Sequence, residues 1–334
     1  MSTTAVMTRQ LGRSGIQVSA VGMGCWAIGG PFRSGETPVG WGEVDDDESI
    51  RAIQRALDLG VNFFDTADVY GTGHSERVLA RALRGRRHEA VIATKFGNTF
   101  DEATRQMTGA DASPEYIRHA CEASLKRLNT DIIDLYQFHL NGYDPEWAGE
   151  VRDTLEALVQ EGKIRAYGWS TDYVEGAHVF AEGPHCTAIQ LDLNVLLDNA
   201  PMIALCEQFN LAAINRGPLA MGLLTGKFPA DSRLPADDVR GHSHDWMQYF
   251  IEGKPNPEWL KRLEAIREIL TSHGRTLAQG ALAWLWARSP QTLPIPGFKT
   301  VAQVEENAGA MRFGPLTAEQ MGEIDRILAR EAVV

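Results

Sequence analysis

The chain has 334 residues, 44% of them hydrophobic, so it can bury a large core as either one barrel or two domains of average size. With 32 basic and 44 acidic residues its formal net charge is −12, which argues against a broad attraction to nucleic acid or to an anionic membrane. No apolar run approaches the roughly 18 residues that span a bilayer, and the first residues lack the apolar core of a signal peptide.

The cysteines are consistent with an intracellular chain. The four of them, Cys25, Cys121, Cys186 and Cys206, are far apart, and none has a partner cysteine or a histidine at metal-ligand spacing. Reduced, structural thiols are therefore expected, with no metal site. Together with the charge, this predicts a cytoplasmic protein that acts on small molecules, with no nucleic-acid or membrane partner. The sequence does not indicate the oligomeric state.

Short apolar runs alternate with longer amphipathic runs from about residue 19 to residue 310, which is typical of alternating strands and helices. Eight runs are predicted to be strands: 19–23, 61–65, 90–94, 132–138, 164–169, 187–193, 211–215 and 292–296. Between them apolar residues recur with the helical period, in stripes formed by Ile50, Ile53 and Leu57, by Ile117, Cys121, Leu125 and Leu128, and by Trp147, Val151, Leu155 and Leu158. Each stripe can cover one side of a sheet.

Local signals mark where several helices begin and end. Ser113 followed by Pro114 is typical of a helix start, and Gly162 is typical of a helix end. Thr317 and Gln320 have the spacing of a capping box, which predicts a last helix near the end of the chain.

Eight strands that alternate with helices, with no break in composition, favour a closed (β/α)8 TIM barrel over an open sheet with a second domain. We predict a single domain over residues 1–334. Within it the barrel covers 19–310, an N-terminal β-hairpin covers 7–18, and an extra C-terminal helix covers 317–330.

Two connections of this barrel are unusually long, namely residues 25–46 after the first strand and residues 216–256 after the seventh. Loops of that size are rare unless they have a function, so both are candidates for the walls or lid of a pocket. Both carry aromatic residues that could line a substrate wall or pack within the loops, namely Phe32, Trp41, Trp246, Tyr249 and Phe250.

The segment GMGCWA after the first strand matches the glycine pattern of a dinucleotide-binding loop. That pattern requires a helix to begin at once, because the helix N-terminus holds the pyrophosphate. Here the next residues, IGGPFRSGETPVGWGEVDDD, are rich in glycine and proline and cannot begin a helix. We therefore disfavour a Rossmann fold. Gly22 and Gly24 suit a tight strand exit or a close approach of the backbone to a ligand.

Four polar side chains of different proton affinity stand at the ends of neighbouring predicted strands. Asp65 ends the second strand with Tyr70 five residues later, Lys95 follows the third, and His139 follows the fourth. Each alone fits an ordinary structural role. Active sites of such barrels lie at this end of the strands, however, and neighbouring strands are only about 5 Å apart. The four groups are thus expected to meet at the barrel mouth.

This set of groups suits proton delivery to a carbonyl oxygen whose carbon receives a hydride. An ammonium group close to a phenol lowers the phenol's pKa, so Tyr70 beside Lys95 becomes a usable general acid, and Asp65 supplies the counter-charge. A neutral His139 can donate a hydrogen bond that orients the carbonyl. The set contains no nucleophile, and its one histidine is too isolated for a metal-dependent hydrolase.

With these residues, the sequence resembles the aldo-keto reductase superfamily over nearly its whole length, from LGRSGIQVSAVGMGCW to IPGFKTVAQVEENAGA. The motifs DTADVYG, IATK, DLYQFH, GKIRAYGWS and PLAMGLLTGK occur in the family's order. The resemblance implies a barrel that binds NADPH, or less often NADH, without a Rossmann domain. It places the family's catalytic tetrad on Asp65, Tyr70, Lys95 and His139, and the substrate pocket at Trp26, Tyr70 and His139.

The resemblance also implies a set of cofactor-binding residues: Trp26, Asp65, Ser170, Gln190, Arg216, Leu219, Gly222, Lys227, Gly297, Lys299, Thr300, Gln303, Glu306 and Asn307. Ser170 and Gln190 would hold the nicotinamide carboxamide, and residues 218–227 would cover the pyrophosphate. Lys299 and Thr300 would pair with a 2′-phosphate at a helix N-terminus, which favours NADP(H) over NAD(H).

Three positions depart from the family pattern. Thr171 stands where an asparagine is usual and offers no carboxamide. Gln303 replaces an arginine that clamps the phosphate in one large branch, which weakens the preference for NADPH. Arg216 stands where many members stack an aromatic ring on the nicotinamide, and its planar guanidinium could stack instead.

The predicted function is an NADP(H)-dependent oxidoreductase that moves a hydride between the nicotinamide and the carbonyl or alcohol carbon of an aldehyde, ketone or sugar-like substrate. Tyr70 is its predicted general acid or base. Carbonyl reduction, alcohol oxidation and epimerisation are all consistent with this site. The alternative is a cofactor-binding regulatory subunit of the same fold with little turnover.

Overall fold

The structure is a computed structural model, and it describes residues 6–242 and 244–329. Its strands are β1 (Thr8–Gln10), β2 (Gln17–Ser19), β3 (Met23–Gly24), β4 (Arg33–Ser34), β5 (Thr37–Pro38), β6 (Phe63–Asp65), β7 (Val91–Phe96), β8 (Asn98–Asp101), β9 (Gln106–Ala110), β10 (Ile133–Phe138), β11 (Ile164–Ser170), β12 (Cys186–Asp192), β13 (Ala212–Arg216), β14 (Phe250–Ile251), β15 (Lys254–Pro255) and β16 (Thr292–Pro294). Its α-helices are α1 (Asp46–Asp58), α2 (His74–Ala82), α3 (Pro114–Leu128), α4 (Pro145–Gln160), α5 (Val174–Ala181), α6 (Ala200–Phe209), α7 (Pro257–Thr271), α8 (Leu277–Arg288), α9 (Val301–Gly309) and α10 (Ala318–Ile327).

Eight parallel strands form one curled sheet in the order β3, β6, β7, β10, β11, β12, β13, β16. The first and last of these also meet. The Gly22 amide donates to the Pro294 carbonyl at 2.9 Å, and the Gly24 amide donates to the Pro296 carbonyl at 3.0 Å. The sheet therefore closes on itself, and the predicted (β/α)8 barrel is confirmed.

An apolar plug fills the lower half of the barrel. Because side chains alternate along each strand, one set faces inward, and it includes Phe63, Leu135 and Ile214. Leu11 and Val18, from the antiparallel hairpin of β1 and β2, pack into the same cluster. The predicted N-terminal hairpin is thus present, and it closes the barrel floor.

The predicted helix signals are found at helix ends. The Ser113 hydroxyl caps α3 with Pro114 in the first turn, and Thr317 and Gln320 form a capping box on α10. The stripe predicted for α4 is wrong at Trp147, which is 57% exposed. Trp147 lies in the first turn of α4, beyond the part of the helix that covers the sheet.

Several predicted boundaries need correction. The first barrel strand was expected over 19–23 but is β3, because Ser19 instead pairs with Thr8 in the hairpin. The hairpin of β8 and β9 was not predicted. It joins β4 and β5 in a four-stranded sheet beside the barrel. The C-terminal helix, expected over 317–330, is α10, and residue 330 lies outside the described residues.

The two long connections meet above the barrel. The Val239 amide donates to the Gly40 carbonyl at 2.7 Å. The Arg240 guanidinium lies 4.5 Å from the centre of the Trp41 ring while it pairs with the Asp238 carboxylate. The described parts of loops 25–46 and 216–256 therefore contact each other above the barrel.

Candidate active site

Three of the four predicted catalytic groups form one hydrogen-bonded unit. The Lys95 ammonium group is fully buried, and it donates to the Asp65 carboxylate, to the Thr66 carbonyl at 2.8 Å and to the Tyr70 hydroxyl at 3.3 Å. Asp65 ends β6 and Lys95 lies near the end of β7, so the neighbouring strands bring the two side chains together. All three donors of the ammonium group have an acceptor.

A layer of polar groups separates this unit from the apolar plug. The second oxygen of Asp65 accepts hydrogen bonds from the side-chain amides of Gln137 at 2.9 Å and Gln190 at 2.8 Å. Burial alone would lower the pKa of Lys95, but Asp65 and Tyr70 raise that pKa above its ordinary value. Lys95 therefore carries its charge at neutral pH, balanced by Asp65.

The pKa of Tyr70 differs from the prediction. Burial raises it, and this effect exceeds the opposing effect of the Lys95 charge. The expected lowering is thus wrong for the site as described, because the positive charge that would stabilise a phenolate is already shared with Asp65. Tyr70 is protonated at neutral pH, which is the form a general acid requires.

His139 lies against Tyr70, with their rings edge to face at a centroid distance of 5.8 Å. Burial, reinforced by the charges of Lys95 and Arg216, holds the pKa of His139 well below its ordinary value. The Nδ1 atom of His139 is buried and has no hydrogen-bond partner among the described residues. A neutral imidazole with an unused nitrogen agrees with the expected role of orienting a carbonyl.

Aromatic rings line one side of the space above Tyr70. Trp26 stacks on Tyr70 with centroids 5.8 Å apart and planes inclined by 21°. Trp41 and Trp246, from the two long loops, contact Trp26 at centroid distances of 5.4 and 6.1 Å. Trp246 is 52% exposed, so this aromatic wall is open to solvent at its outer edge.

Ser170 and Gln190 lie in the floor next to the tetrad. The Ser170 hydroxyl contacts the Gln190 side-chain oxygen at 3.4 Å, while the Gln190 amide group donates to Asp65 and Gln137. Thr171 donates to the Asn141 carbonyl at 2.7 Å. The contact of Ser170 and Gln190 with the nicotinamide carboxamide stays a prediction. The Thr171 side chain binds the loop after β10.

Arg216 forms an ion pair with Asp172, which follows β11. The backbone amide of Asp192 donates to the other oxygen of Asp172 at 2.9 Å. Asp172 and Asp192 carry no family motif and were not singled out from the sequence. The sequence signal for them was their position, since acidic residues follow or end β11 and β12 beside an arginine that ends β13.

The predicted adenosine end surrounds the start of α9. Lys299 donates to the Trp41 carbonyl at 2.5 Å, and it forms no ion pair within the described part of the chain. Thr300 caps α9, and the Gln303 side chain accepts from the amides of Lys299 and Thr300, so Gln303 shapes the helix start. The carboxylate of Glu48, which was not predicted, accepts from the Val301 amide at 2.9 Å.

The other predicted cofactor residues differ in exposure. Leu219 is buried in the core, so only its backbone can face a ligand, whereas Gly222 is partly exposed and Lys227 is exposed. Asn307 is buried, with its amide 3.4 Å from the Gly297 carbonyl, and Glu306 is partly exposed. These residues border the loop after β13 and the start of α9.

The backbone at Gly297 borders open space. A β carbon built there would have the Gly24 carbonyl oxygen as its nearest neighbour, at 3.9 Å. With the helix N-terminus of α9 and Lys299 beside it, the open space at Gly297 is suited to an anionic group. In residues 6–242 and 244–329, no cluster of three or more histidine, cysteine, aspartate or glutamate side chains is placed to hold a metal ion. No helix in these ranges is long and apolar enough to cross a membrane.

Comparison with known proteins agrees with this geometry. A model of the aldo/keto reductase family matches residues 20–329. The chain is 30% identical over 315 residues to an uncharacterized oxidoreductase, YqkF, of Bacillus subtilis, with 94% of each chain covered. It is also 30% identical to the NADP(+) aldo-keto reductase yakc of Schizosaccharomyces pombe, over 92% of this chain and 87% of that protein.

Solved structures give the same result. The glycerol dehydrogenase AKR11B4 of Gluconobacter oxydans superposes with a TM-score of 0.81 at 33% identity, covering 98% of this chain and 97% of that chain. An aldo-keto reductase of Klebsiella pneumoniae in complex with NADPH superposes with a TM-score of 0.68 at 26% identity, over 98% and 97% of the two chains. The chain belongs to the aldo/keto reductase family of oxidoreductases.

Proposed function

We propose that the protein is an NADP(H)-dependent oxidoreductase that interconverts a carbonyl group and an alcohol on a small aldehyde, ketone or sugar-like substrate, with Tyr70 as general acid and base. The observation that carries this proposal is the buried Lys95 ammonium group, which contacts both Asp65 and the Tyr70 hydroxyl beside a neutral His139. A relative that is a glycerol dehydrogenase supports an alcohol and carbonyl pair as reactants.

The cofactor assignment has support of its own. Relatives include an NADP(+) enzyme and a structure in complex with NADPH. Lys299 and the first turn of α9 would hold the 2′-phosphate, the backbone of residues 218–227 would lie over the pyrophosphate, and Ser170 with Gln190 would contact the carboxamide. When bound, the reduced nicotinamide supplies the hydride for the carbonyl carbon.

The chain's own groups handle the proton. In reduction the Tyr70 hydroxyl transfers its proton to the carbonyl oxygen, and the resulting phenolate is stabilised by the ammonium group of Lys95 at 3.3 Å. His139 donates an N–H to the same oxygen and holds it toward Tyr70. The aromatic rings of Trp26, Trp41 and Trp246 would border the substrate on one side. In alcohol oxidation the same proton returns to Tyr70.

The test is Tyr70→Phe, with Tyr136→Phe as matched control. Tyr136 is fully buried on β10 and its hydroxyl has no partner among the described residues. We expect Tyr70→Phe to lower kcat by about 10²- to 10⁴-fold, the usual contribution of a general acid, with an NADPH Kd within about twofold of wild type. Tyr136→Phe should keep its turnover.

The substrate panel should include aldehydes, ketones, sugars and pyridoxal-like compounds, with NADPH and NADH compared. Turnover retained by Tyr70→Phe would contradict the role of Tyr70. A wild-type protein that binds NADPH tightly yet turns over none of these compounds would instead be the cofactor-binding regulatory subunit.

A further inference from the structure

Three charged side chains, those of Asp172, Asp192 and Arg216, lie at the ends of the neighbouring strands β11, β12 and β13. Asp192 of β12 lies opposite Arg216 of β13 in the sheet, two residues beyond the pair of Gln190 and Ile214. Gln190 contacts the floor carboxylate Asp65, and Ile214 packs in the apolar plug. Because side chains two apart on a strand share a face, Asp192 and Arg216 also face the barrel interior, closer to its mouth.

Asp172, which lies two residues after β11, holds Arg216. Its Oδ2 atom pairs with the guanidinium and also accepts from the Asn141 side chain at 3.2 Å, while its Oδ1 atom accepts from the Asp192 amide at 2.9 Å. The contacts of this carboxylate therefore orient Arg216 and the ends of β11, β12 and β13 relative to one another, and the Asn141 contact ties them to the loop after β10.

Asp192 has an unused oxygen. Its Oδ1 atom is buried and has no hydrogen-bond partner in the part of the chain that the structure describes. A β carbon at Gly217, whose φ is 63°, would lie only 2.7 Å from that oxygen, so the chain passes close to it. A buried carboxylate oxygen that lacks a donor is costly, so Asp192 needs nearby positive charge, which Arg216 supplies, to be ionised.

We propose that Asp172 is a positioning residue that holds Arg216 beneath the nicotinamide, and that Asp172 and Asp192 together outweigh the charge of Arg216, so that the site favours the oxidised, cationic ring over the reduced, neutral ring. This inference rests on the proposed function and on the predicted position of the nicotinamide against Arg216. NADP+ and NADPH share their phosphates and differ in the charge of the ring. The ratio of their affinities therefore measures the electrostatic field at the ring.

The charged side chains around the ring determine the sign of that field. Asp65 cancels Lys95, His139 is neutral, and Asp172 cancels Arg216, which leaves the carboxylate of Asp192. Arg216 without its partners would repel a cationic ring. With both aspartates ionised, the net charge around the ring is negative, and the oxidised cofactor gains affinity.

The protonation state of Asp192 should make the preference for NADP+ over NADPH depend on pH. Burial raises the pKa of Asp192 to about 6, despite the opposing charge of Arg216, and Asp172 raises it further. The groups that face it are Arg216, Asp172 and the Tyr249 hydroxyl from loop 216–256. Since ionised Asp192 is the form that favours NADP+, the preference for NADP+ should grow as pH rises from 5 to 7.

The test compares Kd values for NADP+ and NADPH, measured by quenching of tryptophan fluorescence, in Asp172→Asn and Asp192→Asn. Asparagine keeps the shape and the acceptor oxygen of aspartate but removes its charge. We expect the ratio of the NADP+ Kd to the NADPH Kd to rise by about fivefold or more in each variant. Asp153→Asn is the control, because Asp153 is a 71% exposed acid on α4 that also pairs with an arginine. Its ratio should stay within about twofold of wild type.

The alternatives give different results. An unchanged ratio in both variants would overturn the proposal while NADP(H) binding, and with it the proposed function, stands. Equal weakening of both redox forms would assign Asp172 and Asp192 a purely structural role and contradict the charge argument. A wild-type protein that binds neither form would refute the proposed function itself. If Asp172→Asn loses its native circular dichroism, Asp192→Asn alone decides.

Discussion

The Asp65–Lys95 pair should be the most strongly coupled ion pair around the site. Both side chains are almost fully buried, with exposures of 3% and 0%. Replacing Lys95 with Met leaves the Asp65 carboxylate with only the amides of Gln137 and Gln190, at 2.9 and 2.8 Å. Breaking a buried pair on one side costs about 3–5 kcal/mol, and these two donors place Lys95→Met near the lower end of that range.

Asp65→Asn leaves the buried Lys95 ammonium group without a counter-ion. The Lys95 ammonium group then keeps the Thr66 carbonyl at 2.8 Å and the Tyr70 hydroxyl at 3.3 Å, both neutral acceptors. We expect a cost of about 3 kcal/mol or more. The double variant carries neither charge, so it should be less destabilised than the sum of the two single variants. The coupling free energy should be about 2–3 kcal/mol.

Urea titrations followed by circular dichroism would give the free energies of unfolding for this cycle. Arg118 and Glu161 provide the control, because their side chains form an ion pair while 42% and 37% exposed. The coupling of that pair should stay below about 1 kcal/mol. If the effects of Asp65→Asn and Lys95→Met add to within about 0.5 kcal/mol, the two charges do not stabilise each other, and the account of the site is wrong.

Two further predictions concern His139 and Lys299. Burial and nearby cations hold the pKa of His139 well below its ordinary value, so its ring should stay neutral as pH falls from 8 to 6. The 15N resonances of the ring should therefore not titrate in this range. A titration midpoint of His139 above pH 6 would contradict the proposed neutral ring. Lys299→Met should weaken NADPH binding by about tenfold and NADH binding by less than about twofold, because only NADPH carries the 2′-phosphate. Lys261→Met, which changes an exposed lysine on α7, should affect neither, and equal losses for both cofactors in Lys299→Met would refute the assignment.

The sequence predicted the barrel and the position of the tetrad because both depend on local patterns. Asp65 and Lys95 occupy inward-facing positions at the ends of short apolar runs, and the closed sheet brings such positions together. The helix caps at Ser113 and Thr317 could also be predicted, because a cap depends only on the few residues that follow it in the sequence.

Features that depend on competing or distant effects were not predicted. The pKa of Tyr70 is set by burial against the charge of Lys95, and the sequence shows the charge but not the burial. Gln137 contacts Asp65 from β10, on the far side of β7 from β6, and its only signal was a polar residue inside the apolar run of β10. The ion pair of Arg216 with Asp172 joins residues on different strands, which no local pattern reveals.

The loops were also beyond local patterns. The hairpin of β8 and β9 is polar and largely exposed, so it lacks the apolar alternation that identifies a half-buried strand. The Gln303 side chain completes the capping box of α9, which its spacing from Thr300 already allowed, and its contact with the cofactor stays a prediction.

The central claim is that a hydride moves between a bound nicotinamide and a carbonyl carbon while Tyr70 supplies the proton. The most direct measurement uses NADPH deuterated at the transferable C4 position, with mass spectrometry of the alcohol formed by the wild-type protein and by Tyr70→Phe. We expect one deuterium on the former carbonyl carbon of the wild-type product, and product formed at least about a hundredfold more slowly by Tyr70→Phe. Product without deuterium at that carbon, or labelled product formed equally well by Tyr70→Phe, would contradict this claim.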